Sequence, residues 1–209
     1  MNATFHSQRA LFHPIGFVFP VCLAIAVAFL FSGELRANPG YHARSGKIAF
    51  SVGSNIPLVK VSGTSSNVSG GGEATVDQNM ATVHNLRFEV DPKTFKTGIG
   101  MRDQHLYEKV FTAADGSMPK ITLRAEQFQA KLHPETSKWE GNLRAQLTIR
   151  GVTKSVSFHV IGEKKGNGAV VSADGVVDTS DFGVQPISYS GARVNGQVTV
   201  TISDLFIEP

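Results

Sequence analysis

The sequence WEGNLRAQLTIRGVTKSVSFHVI, from Trp139 to Ile161, decides the fold. Small or apolar residues occupy every second position of its first part, namely Trp139, Gly141, Leu143, Ala145, Leu147 and Ile149. This period of two is typical of a β-strand with one dry face and one wet face. After a turn candidate at Arg150-Gly151, the alternation resumes with Val156, Phe158 and Val160. The stretch predicts a long antiparallel hairpin, whose first arm of about 35 Å suits a strand tilted around a barrel.

The same alternation recurs in short segments along the rest of the chain, for example at Ile48, Phe50 and Val52. One segment departs from it, because Leu106 and Val110 are four positions apart, and we expect a short helix from Asp103 to Val110 that closes an end or lies on an edge. The sequence therefore predicts an all-β fold, an antiparallel lipocalin-like barrel of about eight strands with one short helix. An open sandwich is the alternative, because alternation alone does not prove closure.

Two irregular places are expected within this pattern. The Gly/Ser tract from Ser62 to Gly72 is predicted to be a flexible loop. It lacks the spacing of a phosphate-binding loop. Val83 is one residue out of phase with Leu86, so a bulge near His84-Asn85 is predicted to restore the apolar face.

The N-terminal residues predict export. Residues 15–33 are uncharged and apolar and follow Arg9, which is the order of a secretory signal. We expect a signal peptide over residues 1–37, a linker over 38–45 and the barrel domain over 46–209, with a periplasmic or secreted location. An uncleaved membrane anchor is the alternative, because the apolar run is long enough to span a bilayer.

Composition excludes several classes of function. The chain has a single cysteine, Cys22, which lies in the apolar N-terminal segment, so no disulfide or cysteine-based site is expected in the barrel. The seven histidines show no metal-binding spacing, and no cofactor is predicted. The formal charge of +3 comes from interleaved acids and bases, which argues against nucleic-acid binding.

A hydrolase is a second hypothesis, because Asp103 and His105 lie close together in the sequence. No Gly-x-Ser-x-Gly elbow, paired-carboxylate arrangement or cofactor fingerprint accompanies them. A structural role accounts for Asp103 equally well, because a carboxylate near the start of a helix stabilises its positive end. We therefore predict that the protein is not an enzyme.

Several short motifs resemble the YceI-like family in their order and spacing, over approximately Gly46 to Ile207. They are Thr97-Gly98, Arg102-Asp103-x-His105-Leu106, Phe111, Pro119-x-Ile121-Thr122, Leu147 to Thr153, and Asp181-Phe182-Gly183. The resemblance implies an exported barrel whose apolar interior takes a long isoprenoid chain, such as a polyprenyl or quinone-type lipid. Members of the family are generally periplasmic lipid-binding proteins, and some are linked to stress responses.

The predicted function is thus the binding of a long isoprenoid or quinone-type lipid in the barrel, with a filled structural barrel as the alternative. Proximity to a membrane and a dimer are both compatible with the sequence. The candidate ligand-binding residues on the apolar strand faces are Phe50, Val52, Phe88, Val90, Ile121, Leu123, Leu143, Leu147, Phe158, Val177 and Val198, with Leu106 and Phe111 at the mouth.

Overall fold

The computed structural model describes residues 40–189 and 192–209, so the predicted signal peptide, residues 1–37, lies outside the described residues. The strands are β1 (Gly40–Ser54), β2 (Lys60–Ser65), β3 (Val68–Asp77), β4 (Met80–Val90), β5 (Ile121–His133), β6 (Lys138–Ile149), β7 (Val152–Lys165), β8 (Gly168–Asp178), β9 (Ser188–Tyr189) and β10 (Ala192–Glu208). One helix, α1 (Gly100–His105), continues as a π-helical segment over Leu106–Phe111. Short 3₁₀ turns span Pro92–Thr94 and Thr179–Phe182.

Eight of the described strands close into an antiparallel barrel, which confirms the predicted fold class. Neighbouring strands follow the order β1-β3-β4-β5-β6-β7-β8-β10, and β10 pairs back onto β1. The closing register runs from Lys47 opposite Ser203 to Val52 opposite Val198. No sheet edge therefore remains within this ring, and the apolar faces of the strands all point to one interior.

The predicted central hairpin forms as β6 and β7. Their pairing is unbroken from Lys138 opposite Glu163 to Ile149 opposite Val152. Arg150 and Gly151 both have positive φ, 45° and 83°, which is the geometry of a type I′ turn and matches the strand twist.

The Gly/Ser tract is not a loop, contrary to the prediction. Ser62–Ser65 belong to β2 and Val68–Gly72 to β3, and both strands pair with β1 in one continuous register. The glycines are required by close backbone approach, since a Cβ on Gly71 would collide with the carbonyl oxygen of Tyr41. Glycine here indicates close packing of the β1 and β3 backbones rather than flexibility.

The predicted bulge near His84-Asn85 is confirmed. The β3–β4 register shifts between Gly71 and Glu73, and Asn85 has a positive φ of 53°. As a result, Val83 and Leu86 both face the barrel interior, although they are three positions apart.

Two predicted boundaries differ from the structure. β1 begins at Gly40, so most of the predicted linker, residues 38–45, is strand, stabilised by pairing with β3 and β10. The helical segment runs from Gly100 to Phe111 rather than from Asp103 to Val110. Leu106 and Val110 pack onto the buried cluster of Val90, Phe95 and Phe111, which places the helical segment across one end of the barrel.

No helix in the described part of the chain combines the length and apolar character needed to cross a membrane.

Candidate ligand-binding cavity

The barrel interior is hollow. The inward faces of all eight barrel strands and the helical segment surround a cavity of about 1610 Å³. Trp139, Leu143, Leu147 and Ile149 of β6 all line it, so it extends along nearly the whole strand. Ten residue steps correspond to about 33 Å along the strand, or roughly 25 Å along the barrel axis at the usual strand tilt. The cavity is therefore long, narrow and mostly apolar.

All thirteen residues named from the sequence lie on the cavity wall. Seven of them are also buried within the protein: Val52, Val90, Phe111, Leu143, Leu147, Phe158 and Val177. The period of two identified the eleven on strands because the barrel has a single interior, and the helical segment supplied Leu106 and Phe111. That they contact a ligand remains a prediction.

The wall also contains residues that strict alternation misses. Ile202 and Leu205 both face inward although they are three positions apart, because β10 changes register between them and Asp204 has a φ of 52°. Phe128 likewise lies within the register change between Arg124 and Lys131 of β5. In the sequence, a bulge is visible only as a change in the phase of the apolar alternation. It is therefore recognised most reliably where apolar residues lie on both sides of the bulge.

Glycines opposite large side chains shape the interior. The ring of Phe158 lies over Gly175, where a built Cβ would be 2.7 Å from Cδ1. Gly162 is paired with Trp139, but a Cβ on Gly162 would meet nothing closer than the Trp139 Cβ at 4.0 Å. The Trp139 end of the cavity therefore has free space above Gly162.

The ionisable residues of the wall were not among the sequence candidates. They are Tyr41, Lys60, Arg102, His105, Lys164 and Arg193, and no Asp or Glu of the described residues lines the cavity. Lys60 begins β2, Arg102 and His105 lie on α1, and Arg193 lies at the start of β10. The apolar alternation gives no signal for them, because they lie at strand ends and on the helix.

The first turn of α1 is stabilised by Asp103, the residue that follows Arg102. The Asp103 carboxylate accepts hydrogen bonds from the Thr97 backbone N–H and from Thr97 Oγ1, both at 2.6 Å. These two bonds, together with the smaller effects of the Lys96 and Arg102 charges, lower the pKa of Asp103. Asp103 therefore fixes the start of the helix as an ionised carboxylate, which supports the structural interpretation made from the sequence.

Two buried N–H groups of the wall have no hydrogen-bond partner among the described residues. They are Nε of Arg102 and Nε1 of Trp139. Ile149, at the Arg102 end, is separated from Trp139 by the length of β6, so the two groups lie towards opposite ends of the cavity. Buried donors are usually paired, so these two groups are exceptions; both residues line the cavity, but the two N–H groups themselves are covered by protein atoms. In the residues described, no group of three or more His, Cys, Asp or Glu is placed to hold a metal ion.

Comparisons with solved structures support this architecture. A polyisoprenoid binding domain from Saccharophagus degradans, implicated in plant cell wall breakdown, matches with a TM-score of 0.56 at 13% identity, over 80% of this chain and 97% of that chain. BcnA from Burkholderia cenocepacia matches with a TM-score of 0.57 at 16% identity, over 78% of this chain and 96% of that chain. At these identities the likeness shows a shared fold. A search of curated proteins found no match.

The sequence itself matches a family description. The YceI-like domain model covers residues 41–204, from the second residue of β1 into the bulge of β10. The match therefore includes most of the strands that enclose the cavity and all of the helical segment at its end. On this evidence the chain belongs to the family of YceI-like domains.

Proposed function

We propose that this protein is exported and holds one long apolar lipid, of the isoprenoid or quinone type, in its barrel cavity. The observation that carries the proposal is the continuous apolar cavity of about 1610 Å³. Pockets for drug-sized ligands are about 300–1,000 Å³, so this cavity suits a larger guest. It disfavours the alternative of a filled structural barrel, because the interior is not occupied by side chains.

The size of the cavity agrees with a long chain. If each carbon of the guest takes about the volume of one water molecule, about 30 Å³, the cavity holds at most on the order of 50 carbons, or roughly ten isoprene units. Each buried CH₂ contributes about 0.8 kcal/mol, so a few isoprene units can supply useful affinity without a polar anchor. The elongated shape favours a single extended chain over a compact guest.

The comparisons support a binding role at the level of the family. The structural neighbour from Saccharophagus degradans is described as a polyisoprenoid binding domain. A hydrolase is disfavoured because the hydrogen bonds of Asp103 go to Thr97 and fix the start of α1. Export rests on the signal-like residues 1–37.

A lipid carrier must take its guest from a membrane, and the mouth beside α1 offers apolar groups for such contact. Leu58, at the tip between β1 and β2, is 101% exposed, and Ile99 and Met101 at the start of α1 are half exposed. Ile99 and Met101 also line the cavity, so they join the outer surface to the interior. Contact of this rim with a lipid surface is part of the proposed function.

Native mass spectrometry of the protein purified from its own membrane-containing source tests the proposal. We expect a bound species with the mass of a long-chain lipid. A clean protein mass, with no uptake of added prenyl lipids, would reject it.

A pair of variants assigns the uptake to the cavity. Leu147→Arg places a charge on the wall, where the side chain is 8% exposed, and should abolish uptake. Gln146→Arg places the same residue on the outer face of β6 and should leave uptake unchanged. Normal uptake by folded Leu147→Arg would show that the lipid binds elsewhere.

A further inference from the structure

The charge on the cavity wall differs from the charge of the whole chain. The sequence has 20 Lys and Arg against 17 Asp and Glu, which is close to balance. The basic wall residues of the described chain, in contrast, are the half-buried Arg102 and His105 and the exposed Lys60, Lys164 and Arg193, and no carboxylate lines the wall. A cavity with basic groups and no acidic ones favours a negatively charged guest.

Four of these basic residues lie around one mouth, because His105 is on the same short helix as Arg102. Lys60 pairs with Gly53 at the base of the β1–β2 tip. Arg193 lies against the same tip, because its N–H donates to Asn55 Oδ1 at 2.6 Å and its carbonyl accepts from Asn55 N at 3.0 Å.

The helix brings Arg102 to this mouth. β2 is bonded through Thr64 to Lys96, with both backbone hydrogen bonds at 2.9 Å, and the chain then leads through Ile99 into α1. Lys60 and Arg102 therefore lie on two segments that run side by side at one end of the barrel. Lys164 lies at the other end, near Trp139.

Arg102 is the basic residue most clearly lacking a partner. Its Nε is buried without a hydrogen bond, and it forms no salt bridge within residues 40–189 and 192–209. The neighbouring Asp103 carboxylate is directed to Thr97 instead. Arg102 as a whole is half-buried and lines the cavity, so a ligand oxygen there would give the accessible part of its guanidinium an acceptor.

The chemistry of a guanidinium narrows the class of head group. Its planar fork of donors matches phosphate and carboxylate oxygens, and bonds to a charged acceptor are stronger than those to an alcohol or a quinone carbonyl. An anionic head at Arg102 would direct the chain along β6 towards Trp139, through the apolar part of the cavity.

We propose that the cavity selects single-chain lipids with an anionic head, a phosphate or a carboxylate, and that Arg102 binds this head at the mouth beside α1. The inference rests on the proposed function and narrows it, because it disfavours neutral quinones and prenyl alcohols as the preferred guests.

Trp139 supplies the assay. It is the only tryptophan of the chain and lines the end of the cavity opposite Arg102, so its fluorescence should report the arrival of a tail. Solanesyl phosphate and solanesol share one tail, long enough to reach Trp139 from the mouth, and differ in the head. The wild-type protein should bind the phosphate about 10- to 100-fold more tightly than the alcohol, the range expected for hydrogen bonds to a charged group.

Substitution of Arg102 should remove the preference and leave tail binding intact. Arg102→Gln should bind the phosphate and the alcohol about equally, with the affinity for the alcohol unchanged, and Arg102→Lys should retain part of the preference. Arg144→Gln removes the same charge from the exposed outer face of β6 and should behave as wild type. Unchanged alcohol binding also shows that the Arg102→Gln variant is folded.

Three results would overturn the inference. Equal affinity of the wild-type protein for phosphate and alcohol would remove the head-group selection, while the proposed lipid function would stand. An equal loss of both ligands in Arg102→Gln would make Arg102 structural. Displacement of solanesyl phosphate by inorganic phosphate at an equal concentration would assign the site to free phosphate. If the wild-type protein binds neither lipid, the proposed function itself fails.

Discussion

Filling the space above Gly162 should shorten the cavity from its Trp139 end. Gly162 lies on the wall, and a Cβ built there meets only the Trp139 Cβ, at 4.0 Å. Its φ is outside the left-handed region, so a larger residue is compatible with the backbone. Gly162→Leu should therefore fold normally and place four additional carbons inside the barrel.

The expected effect depends on the length of the guest. A tail that fills the cavity loses contact with roughly four of its carbons, at about 0.8 kcal/mol each, so its affinity should fall by up to about 3 kcal/mol, or roughly 200-fold. A short tail that ends before Gly162 should bind as it does to the wild-type protein. The variant therefore tests how far the cavity extends, because only tails long enough to reach Gly162 should lose affinity.

Solanesol and farnesol, two prenyl alcohols of different length, provide the assay. Dissociation constants from native mass spectrometry should rise for solanesol and stay constant for farnesol. Ser157→Leu adds the same side chain to the exposed outer face of β7 and serves as the matched control. If folded Gly162→Leu binds solanesol as tightly as the wild-type protein, the long tail does not reach Trp139, and our assignment of this end of the cavity is wrong.

Three further predictions concern the fold and the mouth. Asp103→Asn should lower the melting temperature at pH 7, and the difference from wild type should shrink as the pH falls below 3.8, the usual pKa of Asp. The reason is that the pKa of Asp103 is lowered in the folded protein, so the stability that the ionised carboxylate provides is present at neutral pH and is lost in acid. A difference that persists unchanged at pH 2 would contradict this. Gly71→Ala should destabilise the barrel by more than about 2 kcal/mol in urea denaturation, because its Cβ would collide with the Tyr41 carbonyl; a loss below about 0.5 kcal/mol would show that β1 and β3 can separate there. Leu58→Ser should slow the transfer of a prenyl lipid from vesicles and leave the equilibrium affinity unchanged, and an unchanged transfer rate would remove Leu58 from the membrane contact.

The cavity wall could be predicted from the sequence to a large extent. The period of two places Leu143, Leu147 and Phe158 on the apolar face of their strands. In a closed barrel, that face lines the single interior. The phase error at Val83 likewise predicted a bulge, because apolar residues on both sides of the break must reach the same interior. These features depend on local spacing, which the sequence records directly.

Other features depend on contacts between distant segments. The Gly/Ser tract was predicted as a loop because glycine weakens a strand in isolation. Its conformation is decided by pairing with β1, where Gly71 fits under the Tyr41 carbonyl, and local composition does not reveal that neighbour.

The polar groups of the cavity were missed for a similar reason. Arg102 and Arg193 are more than 90 positions apart in the chain and lie off the alternating apolar pattern, so only barrel closure brings them to one interior. The sequence by itself thus determined that long antiparallel strands form and which of their faces are apolar, because alternation is a property of neighbouring residues, whereas closure depends on the pairing of β1 with β10. The tertiary structure alone decided that the interior is hollow and that its charged groups are basic, because volume and charge inside a barrel depend on which distant side chains meet there.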